Sequence, residues 1–222
     1  MSIDKVLIAE EAGPVNAAAD LGSLGAARPT TPHFRRNHFP TPPIDPDGWT
    51  LALGGAMSEA MLLPAVSLRA VEPRTLPAVL ECAGHRRAEL DPPAPGLPWR
   101  TGAVSEAVWT GASLGDVLRR AGIAPEAVEI VLRGADHGES EHGGVRSYAR
   151  SLPVAKALHP DTLLAYEMNG ELLTDDHGAP LRLVSTVKYG IKQIKRIGKI
   201  EFTNERPADF WAESGYDWYS GH

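Results

Sequence analysis

Glycine and proline interrupt this sequence so often that long regular elements are excluded. The chain of 222 residues contains 22 glycines and 19 prolines. Glycine destabilises the interior of helices and strands, and proline ends a helix because it lacks an amide proton and clashes with the preceding turn. No apolar run approaches the roughly 18 residues that a membrane-spanning helix requires. The sequence therefore predicts short elements, many loops and no membrane insertion.

Short apolar segments bounded by turn residues predict the strands. One helix is expected after Ser113, which can form a capping box with Asp116, and a second one after a cap at Ser151. The dipeptide Asn169-Gly170 predicts a tight hairpin turn. Together these signals are typical of a mixed α+β fold with short helices and long loops. The predicted strands cover residues 49–53, 76–82, 128–132, 163–168, 172–173, 181–187 and 194–202.

The sequence divides into an N-terminal arm and one domain. Residues 1–32 are rich in alanine and glycine and show no sustained periodicity, which predicts a poorly ordered or clasp-like arm. Residues 33–222 are expected to form a single domain, since their number suits one large core. The first residues include neither a basic segment followed by an apolar one nor a twin-arginine signal, so we expect a cytoplasmic location.

The charges are acidic in sum but unevenly distributed. A net charge of -6 argues against a nucleic-acid partner. Between His177 and Ile200, however, every formally charged residue is basic. This segment is either a binding site for a small anion or a solvated strand face. The cations are Arg182, Lys188, Lys192, Lys195, Arg196 and Lys199.

The single cysteine, Cys82, excludes an intrachain disulfide framework and a zinc finger. A lone cysteine is most often a small buried apolar residue. Here it precedes Ala83-Gly84, and two arginines follow, which favour the thiolate form. Two chemical roles stay open besides core packing. The thiolate could be a nucleophile paired with histidine, or it could bind a soft metal whose other ligands belong to a cofactor.

Several segments occur in the same order as the motifs of a known family. The segment Cys82–Arg87 resembles Cys-Ala-Gly-Asn-Arg-Arg of the sulfite oxidase family of molybdenum enzymes, with His85 in place of asparagine. The segment Phe34–His38 resembles the family motif Phe-x-Arg-Asn-His. Further segments that resemble the family are Trp99–Gly102, Trp109–Gly111, Gly134–Asp136, Ser151–Pro153, Leu164–Gly170, His177–Arg182, Gly190–Lys195 and Trp211–Tyr216.

The resemblance implies a molybdopterin-binding fold and a molybdenum-molybdopterin cofactor. It makes Cys82 the metal ligand, with the remaining sulfurs supplied by the pterin. Lysine and arginine are suitable partners for the phosphate of the pterin. The residues implied to hold the cofactor are Phe34, Arg35, Arg36, Asn37, His38, Asp136, His177, Arg182, Lys192 and Lys195. Lys192 stands where the family has arginine.

The resemblance also implies an activity. Arg36, Arg87 and Tyr216 match the positions around the metal's exchangeable oxo group, where they would attract an oxyanion and stabilise charge. The expected reaction is two-electron oxygen-atom transfer on a small oxyanion or sulfoxide. Because no haem or flavin motif is visible, electrons would pass to or from a separate partner such as a cytochrome. The alternatives are a non-redox molybdopterin-binding or carrier protein with the same fold, and a cysteine-nucleophile hydrolase.

Overall fold

The computed structural model describes residues 14–25 and 33–221. This part of the chain contains three short α-helices and ten β-strands. The helices are α1 (Ala65–Leu68), α2 (Leu114–Ala121) and α3 (Val154–Ala157). The strands are β1 (Thr50–Gly55), β2 (Met61–Pro64), β3 (Pro73–Glu81), β4 (Val104–Ser113), β5 (Glu129–Glu139), β6 (Val145–Pro153), β7 (Thr162–Met168), β8 (Glu171–Leu172), β9 (Arg182–Ser185) and β10 (Ile197–Thr203).

The strands form two five-stranded sheets. The first has the order β2-β1-β10-β5-β6, and the second has the order β3-β4-β7-β8 with β9 paired to β7. Strands β1 and β10 are parallel, whereas the other pairs of both sheets are antiparallel. The mixed fold with short helices that the sequence predicts is confirmed, and most of its regular structure is β.

Two buried apolar clusters explain why both sheets are stable. The larger cluster joins Leu53 and Ile200 of the first sheet to Leu164 of the second sheet and to Leu118 of α2. The smaller cluster includes Leu163. Successive residues of a strand point to opposite faces, so β7 is buried on both sides, which explains its continuous apolar sequence.

The predicted cap and hairpin are confirmed. The Ser113 hydroxyl accepts a hydrogen bond from the Asp116 amide at 3.3 Å, and α2 begins directly after this serine. Asn169 and Gly170 have φ angles of 55° and 83° between β7 and β8. Positive φ at both central residues is what a two-residue turn of type I′ requires.

The predicted helix cap at Ser151 is wrong. Ser151 is a fully buried residue of β6, and α3 begins only at Val154. The pairing of β5 with β6 continues as far as Pro153 opposite Glu129. Backbone hydrogen bonds of this ladder therefore override the local preference of serine for a cap.

The described part of the N-terminal arm contacts the domain. Ala17 forms an antiparallel bridge with Arg35, and the Ala19 amide donates to the Gly102 carbonyl at 2.8 Å. Residues 1–13 and 26–32 lie outside the described residues, so the arm over residues 1–32 stays a prediction. Among the helices of the described chain, none is long and apolar enough to span a bilayer.

Candidate functional site

One cavity of about 460 Å³ contains most of the residues that the sequence singled out. Its walls come from segments that are far apart in the chain: the approach to β1, the loop after β3, the end of β5, the region from β9 to β10 and the residues after β10. The predicted residues that line it are Phe34, Arg36, Asn37, His38, Cys82, Arg87, Asp136, Arg182, Lys195 and Tyr216.

Cys82 lies directly after β3, at the wall of the cavity. Its side chain is buried, and its Sγ accepts a hydrogen bond from the Gly84 amide at 3.4 Å. Burial raises the pKa of the thiol, whereas the Gly84 amide and the charges of Arg36 and Arg87 act in the opposite direction. A bound soft metal would favour the thiolate that burial disfavours.

Buried cations form another part of the cavity. Burial and the charge of Arg196 lower the pKa of Arg182 to about 9. Burial also lowers the pKa of Lys195 well below its usual value, and the nearby Arg182 adds to this effect. Lys195 Nζ donates to Asn37 Oδ1 at 2.9 Å. Burial and the repulsion between neighbouring cations disfavour the charged forms of these two side chains, and an anionic ligand would counteract both effects.

Three histidines near these cations are held neutral. Burial is the main cause that lowers the pKa of His33 to about 3, that of His177 to about 2 and that of His38 to about 4. The His33 Nδ1 lies 2.9 Å from the Phe34 carbonyl oxygen. A carbonyl can only accept, so this nitrogen carries the proton and Nε2 of His33 is an acceptor.

Several buried polar atoms around the cavity have no hydrogen-bond partner within the described residues. They are His33 Nε2, His177 Nδ1, Asp136 Oδ1 and Arg196 Nε. Arg196 Nε lies 3.7 Å from Asp136 Oδ1, which is an ion pair but too long for a hydrogen bond. Buried polar atoms are normally hydrogen-bonded, so His33 Nε2 and Asp136 Oδ1, whose residues line the cavity, suit a polar ligand.

Arg36, Arg87 and Tyr216 line the same cavity as the Cys82 thiol. Arg87 donates to the Tyr216 hydroxyl oxygen at 2.6 Å. One guanidinium nitrogen of Arg36 lies 3.3 Å from His38 Nδ1, and the charge of Arg36 acts on Cys82. Two guanidinium groups on one cavity can bind an oxyanion by charge-assisted hydrogen bonds.

Three predicted cofactor residues do not line the cavity. Lys192 differs most from the expectation, because its Nζ is fully buried against Asp209 Oδ2 at 2.9 Å and the Ser151 carbonyl at 2.8 Å. Arg35 forms an ion pair with Asp176. His177 lies behind the wall, with its ring edge-on to His33 at 5.6 Å between centroids.

The site residues implied by the resemblance did not include His33, Arg196 and Trp211. His33 and Trp211 line the cavity, and Arg196 donates to Asn37 Oδ1 at 3.3 Å behind the wall. Arg196 belongs to the cation-rich segment, so composition contained a signal for it. The position of His33 directly before a candidate motif is a much weaker signal.

The donor set fits the group that the resemblance implies. Within the described residues, no cluster of three or more His, Cys, Asp or Glu side chains could hold a metal ion. The single thiolate of Cys82 suits a metal whose other ligands come from a cofactor. The buried cations and the polar atoms without hydrogen-bond partners suit the phosphate and the ring of such a cofactor.

Comparison with known proteins identifies the family of this chain. The family model described as "Oxidoreductase molybdopterin binding domain" matches residues 38–211. The mitochondrial sulfite oxidase of Drosophila melanogaster is 34% identical in an alignment 215 residues long that covers 93% of this chain and 36% of the fly protein. The sulfite oxidase of Gallus gallus is 36% identical in an alignment 219 residues long that covers 93% of this chain and 46% of the chicken protein.

A solved structure shows the same fold. The sulfane dehydrogenase SoxCD from Paracoccus pantotrophus matches with a TM-score of 0.74 at 23% identity, over 89% of this chain and 49% of that chain. The chain thus spans less than half the length of these relatives. The resemblance to the sulfite oxidase family is confirmed, and the chain belongs to the family of oxidoreductase molybdopterin-binding domains.

Proposed function

We propose that this chain catalyses two-electron oxygen-atom transfer to or from a small oxyanion or sulfoxide. The observation that carries the proposal is a cavity whose lining contains both the Cys82 thiol and two buried cations, Arg182 and Lys195. The names of the relatives, sulfite oxidase and sulfane dehydrogenase, support a small sulfur-containing substrate. Electrons would be exchanged with a separate protein such as a cytochrome.

The residues of the cavity have distinct tasks toward a molybdopterin cofactor. Cys82 would ligate the metal, and Arg182 and Lys195 would bind the phosphate. Asp136 Oδ1 and His33 Nε2, which have no hydrogen-bond partner within the described residues, would accept hydrogen bonds from the pterin ring. When bound, molybdenum supplies the two-electron redox change that the reaction requires.

The substrate side depends on two arginines. Arg36 and Arg87 would attract an oxyanion and hold it in place. The Tyr216 hydroxyl accepts from Arg87, so its own proton is directed elsewhere and is available to a substrate oxygen. Burial lowers the pKa of Arg36, which is consistent with a guanidinium that gains from an anion beside it.

The two alternatives have less support. A cysteine nucleophile needs a lowered thiol pKa, whereas burial raises that of Cys82. A carrier protein without redox activity would need the cations and Cys82, but it would have no use for the Arg87–Tyr216 contact. The cytoplasmic location expected from the sequence stays a prediction.

The test is to produce the chain in a host that makes the cofactor. We expect molybdenum and pterin close to one per chain. In Cys82→Ser, X-ray absorption at the molybdenum edge should show one fewer sulfur neighbour, because the thiolate has been removed. Arg182→Met should lower the pterin content, since a phosphate partner is lost.

The matched control for this experiment is Arg74→Met. Arg74 is an exposed arginine in an ion pair with Asp116, and its substitution should leave the cofactor content unchanged. An unchanged number of sulfur neighbours in Cys82→Ser would remove Cys82 as the ligand. Loaded protein without turnover of sulfite, nitrate or sulfoxides, with artificial electron acceptors and donors, would favour the carrier alternative.

A further inference from the structure

The segment after β10 covers the cavity although it is irregular. Residues 204–221, the C-terminal flap, include no α-helix or strand in the described chain. This flap nevertheless supplies Trp211, Ser214 and Tyr216 to the cavity wall. Irregular segments with few backbone hydrogen bonds open easily, so the flap needs side-chain contacts to keep its position.

Asp209 is the most deeply anchored charge of the flap. Its Oδ2 accepts a hydrogen bond from Lys192 Nζ at 2.9 Å and lies 3.0 Å from Arg150 Nε. All three side chains are at most 3% exposed. None of them lines the cavity. A buried carboxylate shared by two cations is costly to break, because each partner would be left charged without water.

Asp209 also begins the turn that leads to Tyr216. Its Oδ1 accepts from the Ala212 amide at 3.0 Å, and its carbonyl accepts from the Glu213 amide at 3.1 Å. The Tyr216 amide donates to the Trp211 carbonyl at 3.0 Å. The anchored carboxylate is therefore connected through one compact turn to the residue that contacts Arg87.

We propose that Asp209 is a positioning residue, whose buried ion pairs with Lys192 and Arg150 hold the flap so that the Tyr216 hydroxyl contacts Arg87. This assigns Lys192 to the flap instead of the cofactor. The inference rests on the proposed function only in that Arg87 and Tyr216 receive the substrate anion.

The first test is amide hydrogen exchange, measured by mass spectrometry on the full chain. Asp209→Asn should accelerate exchange in peptides from the flap by roughly ten- to hundredfold, the effect of losing a buried charged hydrogen bond. Peptides from β4 and β7 should be unchanged. The matched control is Glu213→Gln, which breaks the more exposed pair between Arg146 and the same flap and should have little effect.

The second test asks whether Asp209 acts through Tyr216. Sulfate affinity is measured by calorimetry for Asp209→Asn, Tyr216→Phe and the double variant, with protein purified from a host that makes the cofactor. Each single variant should weaken sulfate binding by roughly three- to tenfold, because Arg87 loses its hydroxyl partner or its fixed position. The double variant should be no weaker than the more affected single variant.

Unchanged exchange of the flap in Asp209→Asn would overturn the proposal, and so would additive losses of sulfate affinity. If Asp209→Asn does not fold, Lys192→Met replaces it, because this variant leaves Asp209 paired with Arg150. Lys192→Met should also accelerate amide exchange in the flap, and unchanged exchange would again overturn the proposal. Neither readout requires turnover, so an inactive enzyme with a coupled flap would count against the proposed function alone.

Discussion

Buried cations with incomplete balance by carboxylates characterise the residues of the site. Lys195 and Arg196 are only partly balanced by Asp136 and Asp176, because burial lowers the pKa of both cations and raises that of the Asp136 carboxyl. Burial also lowers the pKa of Arg182, and the charge of Arg196 adds to this effect. Such an arrangement is unfavourable unless a ligand contributes negative charge. The pKa values of His33, His38 and His177 are also lowered, mainly by burial and further by neighbouring charges.

His33 predicts how the stability of the cofactor-free protein depends on pH. Its folded pKa of about 3 lies below the ordinary value of 6.5, so below pH 6.5 the unfolded chain binds more protons. The contribution of neutral His33 to the free energy of unfolding is fully present above pH 6.5 and is lost as the pH falls toward 3. At pH 5 the loss from this residue is about 2 kcal/mol.

The measurement is urea unfolding of the cofactor-free chain at pH 7 and pH 5, with His33→Asn for comparison. Asparagine keeps a donor for the Phe34 carbonyl but does not titrate. Between pH 7 and pH 5, the free energy of unfolding should fall by about 2 kcal/mol less in the variant than in the unchanged protein. Equal losses in both proteins would contradict the assignment of a neutral buried imidazole.

The loop of residues 91–98 illustrates how an element positions a residue of the site. Gly96 has a φ angle of 109°, and a Cβ added there would lie 2.3 Å from a guanidinium nitrogen of Arg87. Pro95, Gly96 and Leu97 line the cavity. The loop therefore restricts the space of the Arg87 side chain, which also contacts the Tyr216 hydroxyl.

Gly96→Ala should displace the Arg87 side chain. The positive φ angle alone should cost about 1–3 kcal/mol of stability. Gly143→Ala is the matched control, since its φ angle is 91° and a Cβ would contact nothing within 4 Å. Both variants should unfold more easily, but only Gly96→Ala should weaken sulfate binding in calorimetry. Equal sulfate affinities in the two variants would show that Arg87 does not depend on this loop.

At the scale of the whole molecule, the cavity exists only where both sheets and the flap meet. Cys82 follows β3 of the second sheet, whereas Asp136 belongs to β5 of the first sheet. An anion bound between such segments stabilises the folded state selectively, because the unfolded chain does not hold these cations together.

Inorganic phosphate should therefore stabilise the cofactor-free protein. At ten times its Kd it adds about 1.4 kcal/mol, which corresponds to a rise in Tm of roughly 3–6 °C for a chain of this size. Thermal unfolding in phosphate and in chloride of equal ionic strength separates specific binding from screening. Arg182→Met should lose most of the rise. A rise that is equal in chloride, or unchanged in the variant, would contradict a phosphate site at these cations.

The sequence by itself determined the capped helix, the hairpin turn and the family, because the first two depend on local backbone preferences and the family on an ordered set of motifs. It also predicted seven of the ten strands of the described chain, but not β2, β4 or β6. Only the tertiary structure decided the partners of the charged residues. Lys192 and Lys195 stand three positions apart, yet one pairs with Asp209 and the other lines the cavity. Likewise, the pairing of β5 with β6 turned Ser151 from a cap into a strand residue. Neighbouring residues alone do not decide which charges pair or whether a residue joins a strand. Long-range pairing and burial decide both, so spacing along the chain could not reveal them.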